Sequence, residues 1–219
     1  VTIAATINRT KLDAFRWRYE LSLPKKAALA LGVAALTGLL AQARVQLPWS
    51  PVPLTGQTLG VLLAGVLLGR WWGGVSMGFY IGLGAAGVPW FQGMNGGLAY
   101  LAGPTGGYIV GFVLAALLLG HFTDKYVRSR SFTIMLALML FANFVLIYGP
   151  GLLQLHLWLA NVKGEPVAFS QLLTMGAIPF IAGDATKAAI AALLARTITP
   201  KTAYGGETDG EKWARWRLP

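Results

Sequence analysis

No cysteine occurs among the 219 residues, which removes disulfides, thiolate metal sites and thiol catalysis together. Histidine is almost as scarce. His121 and His156 stand alone, too few for a histidine metal centre, and His156 among Leu and Trp reads as a packed or interfacial side chain. Charged residues make up only 12% of the chain, against roughly 25% in an ordinary soluble domain. The sequence contains no GxxxxGK[ST] phosphate loop and no paired nucleophile and base, so it is not expected to hydrolyse ATP or to be an enzyme. No cofactor and no metal are expected.

What fills the chain is apolar. Hydrophobic residues make up 55% and the mean hydropathy is +0.58, which implies a multi-pass membrane protein. The net charge of +10 does not point to nucleic acid, because the basic residues lie in short segments between apolar runs. They report topology. Apolar runs over about 27–43, 54–68, 73–88, 108–121, 132–148 and 179–197 predict an all-α membrane fold of six transmembrane helices. Lys and Arg concentrate before the first run, at Arg70, at Lys125, Arg128 and Arg130, and from Arg196 onward, with Arg44 and Lys163 opposite. By the positive-inside rule both termini are expected in the cytoplasm.

Three parts follow: a basic, amphipathic N-terminal segment over 1–26, a membrane domain over 27–199 and a cytoplasmic tail over 200–219. The first segment interleaves Phe15, Trp17 and Tyr19 with its charges, which fits either a helix lying on the membrane surface or a solvated tail. It shows no cleavage site after an apolar run, so no signal peptide is expected. In the first span Ala30, Ala34 and Gly38 recur every four residues. Such a flat stripe packs either within its own bundle or against a partner subunit.

Two loops and one helix start converge on the outer side. Pro48, Pro51 and Pro53 hold an extended segment that delivers Thr55, Gln57 and Thr58 to the second span. Between the third and fourth spans, residues 87–108 carry seven glycines and no charge. They read as a glycine-rich outer loop dipping toward a site, bringing Asn95, Trp90, Phe91 and Tyr100. The sixth span opens with Gly183-Asp184-Ala185-Thr186-Lys187. At about 100° and 1.5 Å per residue, an acid and a base three apart share one helix face. A lone charge near the bilayer centre costs roughly 2.5–3.5 kcal/mol, so the two either pair with each other or meet a ligand. A site of Thr55, Gln57, Asn95, Asp184 and Lys187 framed by aromatic rings suits a small ligand with an anionic group, amide-like polar atoms and an apolar body.

Three stretches carry a resemblance to a known family. Pro51-Val52-Pro53-x-Thr55-x-Gln57-Thr58, Gly103-Pro104-Thr105-Gly106-Gly107-Tyr108 and Pro179-Phe180-x-x-Gly183-Asp184-x-x-Lys187 resemble the signature stretches of the BioY family. Its members are the biotin-binding S components of energy-coupling-factor (ECF) transporters in prokaryotic cell membranes. The resemblance implies a six-helix S-component fold, biotin captured from the outer face, and assembly with a transmembrane coupling protein and a pair of cytoplasmic ATPases. The expected partner contact is the stripe of Ala30, Ala34 and Gly38. Asn95 and Asp184 are expected at the ureido ring and Lys187 at the valerate carboxylate. Ala182 departs from the family pattern, where a proline would precede Gly-Asp.

Overall fold

The computed structural model describes residues 3–161, 164, 167–203 and 207–209. Lys163 and the tail beyond Asp209, both used in the charge count, lie outside the described residues. Among the described residues, four helices are long and apolar enough to cross a membrane: Leu23–Gln42, Gly106–Lys125, Phe132–Asn161 and Phe169–Ile198. The fold is an all-α, multi-span membrane fold.

Helix α1 (Ile3–Glu20) precedes α2 (Leu23–Gln42), whose first turn contains Pro24, where the missing N–H is no loss. After α2, the short strands β1 (Arg44–Val45) and β2 (Leu54–Thr55) pair antiparallel across the proline segment. Next come α3 (Gln57–Leu68) and α4 (Arg70–Ala85). Arg70, Trp71 and Trp72, expected as a turn between spans, are the first turn of α4. Gly69 alone makes the reversal, at φ +81°, a left-handed conformation that favours glycine. A Cβ there would lie 2.6 Å from an oxygen of Asp124, whose carboxylate accepts the Arg70 backbone N–H at 2.9 Å. The glycine loop follows, with the single turn α5 (Leu98–Leu101), and leads into α6 (Gly106–Lys125).

Helix α6 is the centre of the bundle: 61% of its most apolar 18-residue stretch is buried, against 22–33% for the other three long spans. Small residues set this packing. A Cβ on Gly65 of α3 would sit 2.3 Å from the Ala116 carbonyl oxygen, and one on Gly111 2.5 Å from that of Leu146. Helices meet here backbone to backbone, which is how spans associate where lipid provides no hydrophobic drive. Gly65→Val should therefore part α3 from α6 and lower stability by about 1–3 kcal/mol or more. Tryptophan fluorescence melts in detergent measure this, and an unshifted melt would show that the close approach is dispensable.

The fifth span differs from expectation. Gly149-Pro150-Gly151 does not end the helix, which runs from α7 (Phe132–Phe141) through a π-helical segment (Ala142–Ile147) into α8 (Tyr148–Asn161). Pro150 has no N–H to donate and its ring would crowd the carbonyl four residues back. The wider i→i+5 turn just upstream absorbs that mismatch without breaking the helix. The last span begins earlier than expected, as α9 (Phe169–Gly176). It then bends at Ala177 and a single 3-10 turn (Ile178–Phe180) containing Pro179, and resumes as α10 (Ile181–Ile198). Ala182 lies in regular helix there.

The N-terminal segment is folded onto the bundle and is not a solvated tail. Phe15, Arg18 and Leu21 are buried. Arg18 donates to the carbonyls of Val66 at 3.0 Å and Leu67 at 2.9 Å and pairs with Asp124 at 2.6 Å. It thereby ties α1 to the ends of α3 and α6 and satisfies two carbonyls in the last turn of α3. The start of the C-terminal tail docks at the same end. Arg130 donates to the carbonyls of Thr123, Pro200 and Thr202 and pairs with Glu207. Asp209 accepts the backbone N–H groups of Val127 and Arg128.

Candidate functional site

At the opposite end of the bundle, β2 and the starts of α3, α6, α8 and α10 enclose a pocket. Its apolar wall includes Val52, Leu54, Ile109, Phe112, Ile147 and Phe180, and its polar groups include Thr55, Gln57, Thr58, Gln92, Asp184 and Lys187. The bend at Ala177 aims α10 so that Asp184, in its first turn, points inward. Asp184 is 5% exposed. Such burial of a carboxylate is tolerated only with full pairing. Oδ1 accepts from Lys187 Nζ at 2.5 Å and from Thr58 Oγ1 at 3.1 Å. Oδ2 accepts from Tyr148 Oη at 2.6 Å and from Asn143 Nδ2 at 3.1 Å. Lys187 Nζ also donates to the Thr55 carbonyl at 2.6 Å. The acid and base of the last span pair with each other here, across one side of the pocket.

Of the residues expected at the site, Thr55, Gln57, Tyr100, Asp184 and Lys187 line the pocket. Gln57 accepts from Thr55 Oγ1 at 2.9 Å and donates to Tyr80 Oη at 2.6 Å. Burial pushes the Tyr100 hydroxyl above the ordinary tyrosine range, so it stays neutral. Trp90 and Phe91 stand behind this layer. Trp90 Nε1 donates to the Tyr80 carbonyl at 2.9 Å while Tyr80 Oη donates to the Trp90 carbonyl at 3.2 Å. Phe91 is fully buried and stacks on Tyr100 with ring centroids 5.0 Å apart. Phe91 supports the lining ring of Tyr100, Trp90 reaches the lining only through Tyr80 and its bond to Gln57, and neither ring lines the pocket itself.

Asn95 lies elsewhere. It is exposed, its amide donates to the Gln92 carbonyl at 2.8 Å, and its own carbonyl accepts the Phe91 N–H at 3.0 Å. The tight reversal through Gly93 and Met94, both at positive φ, turns it away. Gln92 takes the place at the pocket wall and is held there by Arg44 Nη1 at 2.9 Å. Ala30, Ala34 and Gly38 are buried within the bundle. Ser76 of α4 donates to the Ala30 carbonyl at 2.8 Å, and a Cβ on Gly38 would lie 2.8 Å from Trp90. Their own chain covers that stripe.

Sequence reasoning did not assign a role to Asn143 or Tyr148. The signal was present: Asn143 is the one amide between Phe132 and Tyr148. A buried amide inside an apolar span needs a partner, and here the partner is Asp184.

Fold and site together define a class: a multi-span membrane protein with a small-molecule pocket at one end of its helix bundle, apolar-walled and headed by a lysine and a carboxylate. The chain belongs to the BioY family, which it matches over residues 10–204. It is 55% identical over 157 residues to a probable biotin transporter BioY of Methanothermobacter thermautotrophicus, covering 72% of this chain and 100% of that protein. It is 34% identical over 177 residues to the biotin transporter BioY of Rhizobium etli, covering 78% and 89%. Among solved structures it resembles the S-component for biotin from an ECF-type ABC transporter, with a TM-score of 0.70 and 25% identity over 80% of this chain and 93% of that one.

Proposed function

We propose that this chain is the biotin-binding S component of an ECF-type vitamin transporter, with ATP hydrolysis supplied by partner subunits. The observation that carries the reading is the meeting of Lys187 and buried Asp184 at one apolar-walled pocket. Biotin presents a carboxylate at one end and a cyclic urea at the other, joined by an apolar body. Lys187 neutralises the carboxylate, Asp184 accepts a ureido N–H, and Gln57, Thr55 and Tyr100 complete the polar contacts. Trp90 and Phe91 act through Tyr80 and Tyr100. Asn95 joins the site only if the reversal at Gly93 re-forms around the ligand. The cavity measures about 60 Å³ with the Lys187–Asp184 pair along one wall, well below the roughly 300 Å³ of the smallest drug-sized pockets, so the lining moves when biotin enters. In this reading the pair separates and biotin takes over both halves of it.

The bundle has six spans in this reading, α3 and α4 being the short second and third. Both termini are cytoplasmic, which is supported by the gathering of Arg18, Arg70, Arg130 and Asp124 at the end remote from the pocket. The coupling protein docks on α2. Since Ala30, Ala34 and Gly38 face inward, the contact falls on the outward face of Ala28, Gly32, Ala35 and Leu39.

The alternatives are a solitary ion-coupled small-molecule carrier, with Asp184 as its pocket acid, and an S component for another vitamin. Reconstitution in proteoliposomes separates the carrier from the S component. Biotin uptake should appear only with an ECF coupling protein, its ATPase pair and ATP. Uptake by this chain alone under a proton gradient would contradict the assignment.

A further inference from the structure

The two oxygens of Asp184 are held by different groups. Oδ1 is shared by Thr58 and Lys187, which line the pocket, while Oδ2 is held by Tyr148, whose ring also lines it, and by the fully buried Asn143, which does not. Two locally unfavourable features coincide on the Oδ2 side. The first is the backbone. Asn143 and Tyr148 are five residues apart, which in an α-helix places them about 140° apart around the axis, on different faces. In the π-helical turn the Tyr148 N–H bonds to the Asn143 carbonyl, the wider turn brings the two positions closer around the axis, and both side chains reach the same oxygen. Such π turns are rare and recur at functional sites. The second is the amide. Asn143 Oδ1 is buried and has no hydrogen-bond partner among the described residues. An unpaired buried acceptor is costly, and here it follows from aiming the NH₂ group at Asp184. A sequence that keeps both features is giving up local stability for a fixed carboxylate.

We propose that Asn143 and Tyr148 are positioning residues that make the site selective for a ring N–H donor. By fixing Oδ2 they leave Oδ1 as the exchangeable oxygen, presented in one orientation once Lys187 moves to the ligand's carboxylate. This rests on the biotin reading above, and it assigns the discrimination at the ureido end to the fifth span and not to the glycine loop.

The test compares three probes on the purified protein: biotin, biotin methylated on both ureido nitrogens, and biotin methyl ester. Wild-type protein should prefer biotin to both analogues. Asn143→Leu and Tyr148→Phe should each weaken biotin by roughly 10–100-fold, the range found for groups that orient the ligands of a metal site. They should barely change the ring-methylated analogue, so the ring discrimination collapses by the same factor. Preference for the acid over the ester, which reads Lys187, should persist. Tyr148→Phe removes one hydroxyl and keeps the packing, so it carries the test if Asn143→Leu does not fold. If biotin, ring-methylated biotin and ester lose affinity in parallel, or biotin loses none, the proposal is wrong and the two residues are structural only. Wild-type protein that ignored biotin would overturn the proposed function, and this inference with it.

Discussion

Lys187→Ala should weaken biotin binding by about 2–4 kcal/mol, roughly 30- to 1000-fold, with a smaller loss of thermal stability. Truncating one member of a buried, hydrogen-bonded charge pair at an interface costs about 2–5 kcal/mol, and the lower part of that range applies because the Lys187 side chain is 18% exposed. Stability should fall by less than binding does because Asp184, though left without its counter-charge, keeps Thr58, Asn143 and Tyr148 as donors when the lysine is gone. The Thr55 carbonyl loses its bond to Nζ, but it lies at the pocket wall within reach of water. Paired measurements of affinity and melting temperature on the same preparation separate ligand recognition from structure. A variant that melts much earlier yet binds biotin as before would mean that the pair only pins α10 to the bundle.

Asp184→Ala should be worse on both counts. It removes the acceptor from four donors at once and leaves Lys187 without its counter-charge. Breaking a buried ion pair from one side typically costs 3–5 kcal/mol, and the amide of Asn143, already short of one partner, would lose the other. Biotin binding should disappear, since no other acid lines the pocket among the described residues. Asp184→Asn should recover part of the stability by offering an oxygen to Tyr148 and Thr58, without restoring binding. Wild-type melting for Asp184→Ala would be incompatible with the network drawn here.

The contrast between these two variants explains what could be read in the sequence. An acid and a base three residues apart in an apolar run mark the site unaided, because helix geometry fixes their common face and lipid forbids leaving them alone. The proline segment was legible for a similar reason: each proline fixes its own φ and restricts the residue before it, and the segment leads directly into α3. What stayed hidden depends on which surfaces meet. Ala30, Ala34 and Gly38 make a close-packing stripe, but nothing in their spacing says whether α4 or another subunit lies against it. Pro150 reads as a helix end, yet a π turn one step upstream accommodates it because α6 offers Gly111 there, where a Cβ would lie 2.5 Å from the Leu146 oxygen. Asn143 gains its meaning only when that wider turn rotates it toward α10. Asn95 was drawn to the site by its loop, and a two-residue reversal moved it off.

The bond arrangement around Asp184 also has a consequence for ligand capture. Two of the polar contacts that biotin is proposed to make already have a protein substitute: Lys187 for the ureido N–H on Oδ1, and the Asp184 carboxylate for the valerate on Lys187. Exchange of this kind keeps Lys187 paired with a carboxylate and leaves Asp184 hydrogen-bonded, which lowers the cost of parting the two charges.

Equilibrium binding to the purified chain, with biotin, lipoate and thiamine measured side by side, is the most direct test of the central claim. Saturable binding of biotin with a dissociation constant below about 1 µM, corresponding to roughly 8 kcal/mol, together with lipoate and thiamine weaker by orders of magnitude, is the predicted result. Absence of saturable biotin binding in that range, or equal binding of thiamine, would contradict it.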